Sequence, residues 1–165
     1  MIRISTFAAA SLLFGLLSLP ASAQEWILGA GYSQYSRPGS EDSAQISIEY
    51  HAAPFFESGR ISSGLAAVLS AQATGDTFVG VGLVARLDFD NQWFLETSVI
   101  PGAYFESSIG NDLGSTFEIR SLIGVGYQLD PTNSVSLALA HKSNASTAAV
   151  NPGVNTLLLR WHRAF

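Results

Sequence analysis

His141 and Ser143 stand two residues apart in the segment His141-Lys142-Ser143-Asn144-Ala145. On a β-strand, residues i and i+2 point to the same face, so the two side chains share a side. A histidine within reach of a serine hydroxyl can act as its general base. A third polar group can orient the imidazole. On its own, a His-x-Ser pair near the end of a strand is more often a polar surface decoration than a catalytic pair. His51 falls near the end of a strand and His162 has the inward parity of the last one; neither has a partner that spacing identifies, and both read as structural. No pair of histidines has metal-ligand spacing with an acidic residue alongside. The chain has no cysteine, which excludes a disulfide framework and a thiolate metal site. No metal or cofactor is expected.

The elements that must position these residues are strands. Period-two alternation predicts eight of them, at 25–35, 43–52, 58–72, 76–88, 92–105, 115–129, 133–143 and 154–165. Asp90-Asn91 and Asp130-Pro131-Thr132-Asn133 read as tight turns, and Ala53-Pro54-Phe55-Phe56 as a short apolar reversal. Longer polar connections run from Arg37 to Asp42, Glu106 to Gly114 and Asn144 to Gly153. Tight turns at one rim and longer loops at the other match an outer-membrane barrel, with turns periplasmic and loops outside.

One face of these strands is bulky and apolar, as with Phe117, Ile119, Ile123, Val125 and Tyr127, interrupted by Ser121. The opposite face mixes charge with small residues: Glu118, Arg120, Gly124 and Gly126 in the same strand, Glu96 and Ser98 in the strand before. A narrow barrel fills its lumen with side chains, where opposite charges can pair. The apolar face is therefore assigned to lipid. Arg120 is expected to pair inside with Glu118 or Glu96. Along the seventh predicted strand Val135, Leu137 and Leu139 share the parity of His141 and Ser143, so the lipid-facing stripe ends in two polar residues, which is costly in hydrocarbon without a role. That strand runs outward. Asn155, which opens the last strand, shares the outward parity of Phe165 and meets the pair at outer-leaflet depth.

The ends and the composition agree. Arg3, an apolar run from Phe7 to Leu19 and Ala21-Ser22-Ala23 read as an export signal, 1–23, cleaved before Gln24. The run is shorter than the roughly 20 residues a spanning helix needs. What remains, 24–165, is one domain. The whole chain has a formal charge of −5, a single lysine and scattered arginines, which gives no basic stripe for nucleic acid. Mean hydropathy is +0.26 without a later apolar helix, and in lipid only helices and closed barrels satisfy every backbone hydrogen bond. The alternating run Leu157, Leu159, Trp161 ending at Phe165, with Arg163 the one departure, is similar to the terminal signal of bacterial outer-membrane barrels. The outer-membrane assembly machinery is thus an expected partner.

With His141-x-Ser143-Asn144-Ala145, Asn151-Pro152-Gly153-Val154 and the apolar final strand, the chain resembles the PagL-type lipid A 3-O-deacylase family. The specific motif covers about the last sixth of the chain; size, export signal and strand count agree less specifically. The resemblance implies an eight-stranded outer-membrane barrel whose active site faces lipid, with lipid A of the outer leaflet as substrate. It implies Ser143 as nucleophile, His141 as general base and an oxyanion-hole contribution near Asn144. The family's acidic member falls at position 155, where this chain has Asn. An amide can orient the imidazole but cannot stabilise the imidazolium by charge. Activity is then reduced unless another carboxylate serves, and none lies between Lys142 and Phe165. The alternative is a non-enzymatic barrel with a structural or surface-binding role, presenting the Glu106 to Gly114 loop. A small pore is disfavoured by the narrow lumen of eight strands. Oligomeric state stays open, a homodimer included. If His141 and Ser143 point into the lumen, the enzyme reading fails.

Overall fold

A computed structural model describes residues 24–165, so the expected export signal lies outside the described residues. The chain forms β1 (Glu25–Tyr35), β2 (Ser43–His51), β3 (Phe56–Ser58), β4 (Ile61–Gln72), β5 (Thr77–Asp88), β6 (Trp93–Phe105), β7 (Phe117–Asp130), β8 (Asn133–Ser143) and β9 (Val154–Ala164). All pairings are antiparallel. β1 pairs with β9, and β2 pairs with β4, which closes eight strands into a barrel and leaves no free edge among them. The ninth, β3, is a three-residue piece hydrogen-bonded only to β4.

Two connections differ from the sequence reading. The segment 53–56 is not a complete reversal. The chain continues through β3 and turns at Gly59-Arg60, so the expected strand 58–72 begins properly at Ile61. Gly59 supplies the positive φ of 60° this turn requires. Asp130 closes the β7–β8 turn by accepting from the backbone N–H groups of Thr132 and Asn133.

Both described ends lie at the rim with the tight turns, the periplasmic rim of such barrels. The outer face is a continuous apolar belt, with Leu28, Ile46, Leu83, Ile123, Leu139 and Leu159 all exposed. Near the periplasmic rim the rings of Trp26 and Tyr50 pack tilted with centroids 4.9 Å apart, and Trp93 meets Tyr127 edge to face at 5.2 Å, as in an interfacial aromatic girdle. Inward positions carry the charges. Arg120 donates to Glu49 at 2.8 Å, and Arg160 donates to Glu96 at 2.7 Å and to Glu49 at 3.2 Å, all four side chains being fully buried. Glu118, Arg120 and Glu96 face inward as expected. The partner of Arg120 is nevertheless Glu49, reached across the lumen rather than along or beside its own strand. Gly126 is needed opposite Phe94: a Cβ there would lie 2.0 Å from the ring that fills the lumen.

The outer end of the lumen is closed by its loops. Asp76 accepts from Thr74 Oγ1, Asn111 Nδ2, Tyr35 Oη and the backbone N–H of Ser107. Tyr35 and Tyr104 hydroxyls meet at 2.8 Å beneath it. Arg37 and Asp112 pair at 3.4 Å above. This clasp joins the loops after β1, β4 and β6 and steadies the rim beside the candidate site.

Candidate active site

The register of three neighbouring strands assembles the site. His141 on β8 stands directly opposite Asn155 on β9 and opposite Ser121 on β7; Ser143 stands opposite Ile119. His141 and Asn155 are exposed on the outer, lipid-facing surface, and Ser143 shares their parity and is half-buried. Lys142 between them is buried in the lumen, its ammonium group 5.3 Å from the Tyr104 ring. The alternation of β8 is what sends the polar pair out and the lysine in.

His141 Nδ1 lies 2.8 Å from Asn155 Oδ1. An amide oxygen only accepts, so Nδ1 carries the proton and Nε2 is left as the basic nitrogen. That is the tautomer a general base needs. No carboxylate forms an ion pair with His141 among the described residues. The ring also rests on Gly153: a Cβ at that position would lie 2.5 Å from His141 Cε1. Gly153 is held in turn by its carbonyl, which accepts from Ser36 N–H at 2.9 Å. No hydrogen bond joins the Ser143 hydroxyl to the ring among the described residues; catalytic hydrogen bonds often tighten only with substrate.

Asn144 is fully buried and its donors are occupied. Its Nδ2 group donates to the carbonyls of Leu113 at 3.0 Å and Val150 at 2.8 Å, and its N–H donates to Asn151 Oδ1 at 2.9 Å. Its Oδ1 accepts from Ser146 N–H, and its carbonyl from Thr147. Asn144 thus clamps the loop that follows Ser143, and the clamp holds Ala145 and Ser146 at φ of 53° and 61°. Such left-handed non-glycine residues cost about 1–3 kcal/mol each and persist only where surroundings enforce them. No side-chain donor of Asn144 is left for an oxyanion. The backbone N–H of Ala145 makes no hydrogen bond among the described residues.

Below His141 a shallow depression of about 420 Å³ opens on the lipid face, lined by Thr97, Ser121, Ile123, Leu139 and Asn155. Thr97 and Ser121 are small where their neighbours are Ile and Leu, and that difference makes the hollow. Ser121 was legible as a break in the apolar stripe. Gly153 was legible only as part of a motif, because its contact with the imidazole depends on how the β8–β9 loop returns.

Residues 28–164 match the family described as Lipid A 3-O-deacylase (PagL). A curated relative, the lipid A deacylase PagL of Bordetella bronchiseptica (strain ATCC BAA-588 / NCTC 13252 / RB50), is 28% identical over 75 residues. That stretch spans 45% of this chain and 42% of the relative. The crystal structure of the outer membrane enzyme PagL is similar with a TM-score of 0.68 at 18% identity, covering 86% of this chain and 99% of that one. Neisserial surface protein A gives a TM-score of 0.55 at 15% identity, covering 87% and 96%. A designed transmembrane β-barrel gives 0.60 at 8%, with the same coverages. At these identities the structural likeness is one of fold alone. The match over 28–164 shows the family: this outer-membrane barrel belongs to the lipid A 3-O-deacylase (PagL) family.

Proposed function

We propose that this chain hydrolyses the ester-linked 3-O-acyl chain of lipid A in the outer leaflet, with Ser143 as nucleophile, His141 as general base and Asn155 as the group that orients it. The observation that carries the proposal is the His141–Asn155 hydrogen bond on the lipid-facing surface, with the basic nitrogen free and an apolar hollow below it. A buried site would serve a soluble ester; this one meets a substrate that lies in the membrane.

In the reaction, Nε2 of His141 takes the Ser143 hydroxyl proton as Oγ attacks the ester carbonyl. The oxyanion of the tetrahedral intermediate is held by backbone N–H groups at the start of the clamped loop, Ala145 being the unengaged one. The intermediate collapses, the C–O bond to the sugar breaks, and the imidazolium returns its proton to the departing sugar oxygen. Water then attacks the acyl-enzyme with His141 again as base, which releases the fatty acid and restores Ser143. The role for Asn144 is to fix this loop through its own occupied donors. No step needs a metal or cofactor. The Phe165 end would engage the assembly machinery before the barrel reaches the membrane.

The test is mass spectrometry of lipid A from cells with and without the protein. Loss of one hydroxyacyl mass, absent with Ser143→Ala, supports the reading. An unchanged lipid A profile would favour a non-enzymatic barrel.

A further inference from the structure

We infer that the periplasmic mouth of the barrel holds a divalent first-row transition-metal ion, bound by Glu25 of β1, Glu96 of β6 and His162 of β9. One ligand atom from each of these residues lies within 4.8 Å of the other two. The site sits inside the barrel, at the opposite end from His141.

Each of the three residues has one atom held from outside the cluster and another turned into it. Glu96 Oε1 accepts from Arg160 at 2.7 Å, while Oε2 is buried without a hydrogen bond. His162 Nε2 meets Ser136 Oγ at 2.8 Å, while Nδ1 is buried without one. Glu25 Oε1 meets His51 Nδ1 at 2.9 Å, while Oε2 lies 3.4 Å from His162 Nδ1. Outer partners that fix the far atom of each ligand and aim the near one inward are how metal sites are built. If Nε2 of His162 donates to Ser136, Nδ1 is left with the lone pair a metal requires.

His51 meets Glu25 at 2.9 Å and lies 3.9 Å from Glu49 and from Glu96, so when protonated it balances the three carboxylates together with Arg120 and Arg160. A cation at the cluster satisfies Glu96 Oε2 and His162 Nδ1, which are otherwise buried without a hydrogen-bond partner. Two carboxylate oxygens and one imidazole nitrogen suit Zn²⁺ and its neighbours, whereas Ca²⁺ and Mg²⁺ prefer oxygen alone. Tetrahedral bonds of about 2.1 Å put ligand atoms about 3.4 Å apart. The spacing of His162 Nδ1 and Glu25 Oε2 already has that value. The fourth position faces a cavity of about 440 Å³ open to the rim, whose wall includes Arg86 and Asp88, themselves paired at 2.8 Å. The ion would tie the first and last strands of the barrel to β6 across the lumen.

The test uses the folded, detergent-solubilised barrel after removal of metals with a chelator. Co²⁺ is titrated and its visible ligand-field bands are followed. The expected result is a saturable site with one Co²⁺ per barrel, bleached by equimolar Zn²⁺ and untouched by a large excess of Ca²⁺ or Mg²⁺. Glu25→Gln, isosteric and at the mouth, should weaken binding at least about 10-fold, the scale on which even outer-shell partners act. His162→Ala should abolish it, and His141→Ala should leave it unchanged. If His162→Ala does not fold, Glu25→Gln decides. An absent or unsaturable signal, full affinity in Glu25→Gln, displacement by Ca²⁺ or Mg²⁺, or loss of the signal in His141→Ala would each overturn the inference and leave a hydrogen-bonded cluster.

Discussion

His141 binds an amide where a serine hydrolase usually offers a carboxylate, and the consequence is calculable in sign. Asn155 Oδ1 keeps the ring in the working tautomer but adds no charge to stabilise the imidazolium. When a triad carboxylate is exchanged for an amide that enforces the wrong tautomer, the loss is about 10⁴-fold. Here the tautomer is right, so the deficit is smaller. Asn155→Glu should therefore raise the deacylation rate, by less than about 10⁴-fold; single-turnover assays on lipid A micelles would read it, and no change would place the third member elsewhere. Gly153→Ala tests the packing under the ring. Its Cβ would displace the imidazole from Asn155, and a misplacement near 1 Å costs roughly 100-fold in rate, with the barrel still heat-modifiable on gels. Parity alone revealed which residues share the outer surface, because alternation is a local property. It could not reveal that Asn144 spends its donors on Leu113, Val150 and Asn151, since those partners lie on loops the sequence does not dock.

Strands and loops carry the next tier of prediction. Glu49 on β2 serves both Arg120 on β7 and Arg160 on β9. Removing it leaves two guanidinium groups short of a buried partner, and breaking such a network costs about 3–5 kcal/mol. Glu49→Ala should lower the urea midpoint of the barrel accordingly, and an unshifted midpoint would mean that water relieves the arginines. The loop clasp makes a pH prediction. Burial acts to raise the Asp76 carboxyl, but bonds from Ser107 N–H, Asn111, Thr74 and Tyr35 outweigh it and hold the carboxyl below its ordinary value. A depressed native value stabilises the clasp above the unfolded carboxyl range near pH 3.9. That contribution is lost as pH falls through the lower native value. Proteolysis of the 106–116 loop should thus stay slow at neutral pH and quicken in Asp76→Ala. The bounds of β1 and β8 were legible residue by residue because each alternates without interruption between clear turn signals. β3 was not: Phe56-Glu57-Ser58 continues the pattern of the next strand, and only the turn at Gly59 divides them.

The whole molecule is a barrel whose closure brings together what no single strand contains. Alternation showed which residues face inward, but not that Arg120 reaches Glu49 or that His51 and His162 both converge on Glu25, because those contacts require the β1–β9 and β2–β4 registers. The same closure sets His141, Ser143 and Asn155 side by side on the outer surface of the barrel, and the account stands on that placement. It is tested most directly by mass spectrometry of lipid A from cells producing the native chain, Ser143→Ala or His141→Ala at equal levels of heat-modifiable barrel in the outer membrane. The native chain should remove one 3-O-linked hydroxyacyl group, and both variants should leave lipid A intact. Continued deacylation by Ser143→Ala would contradict the catalytic assignment.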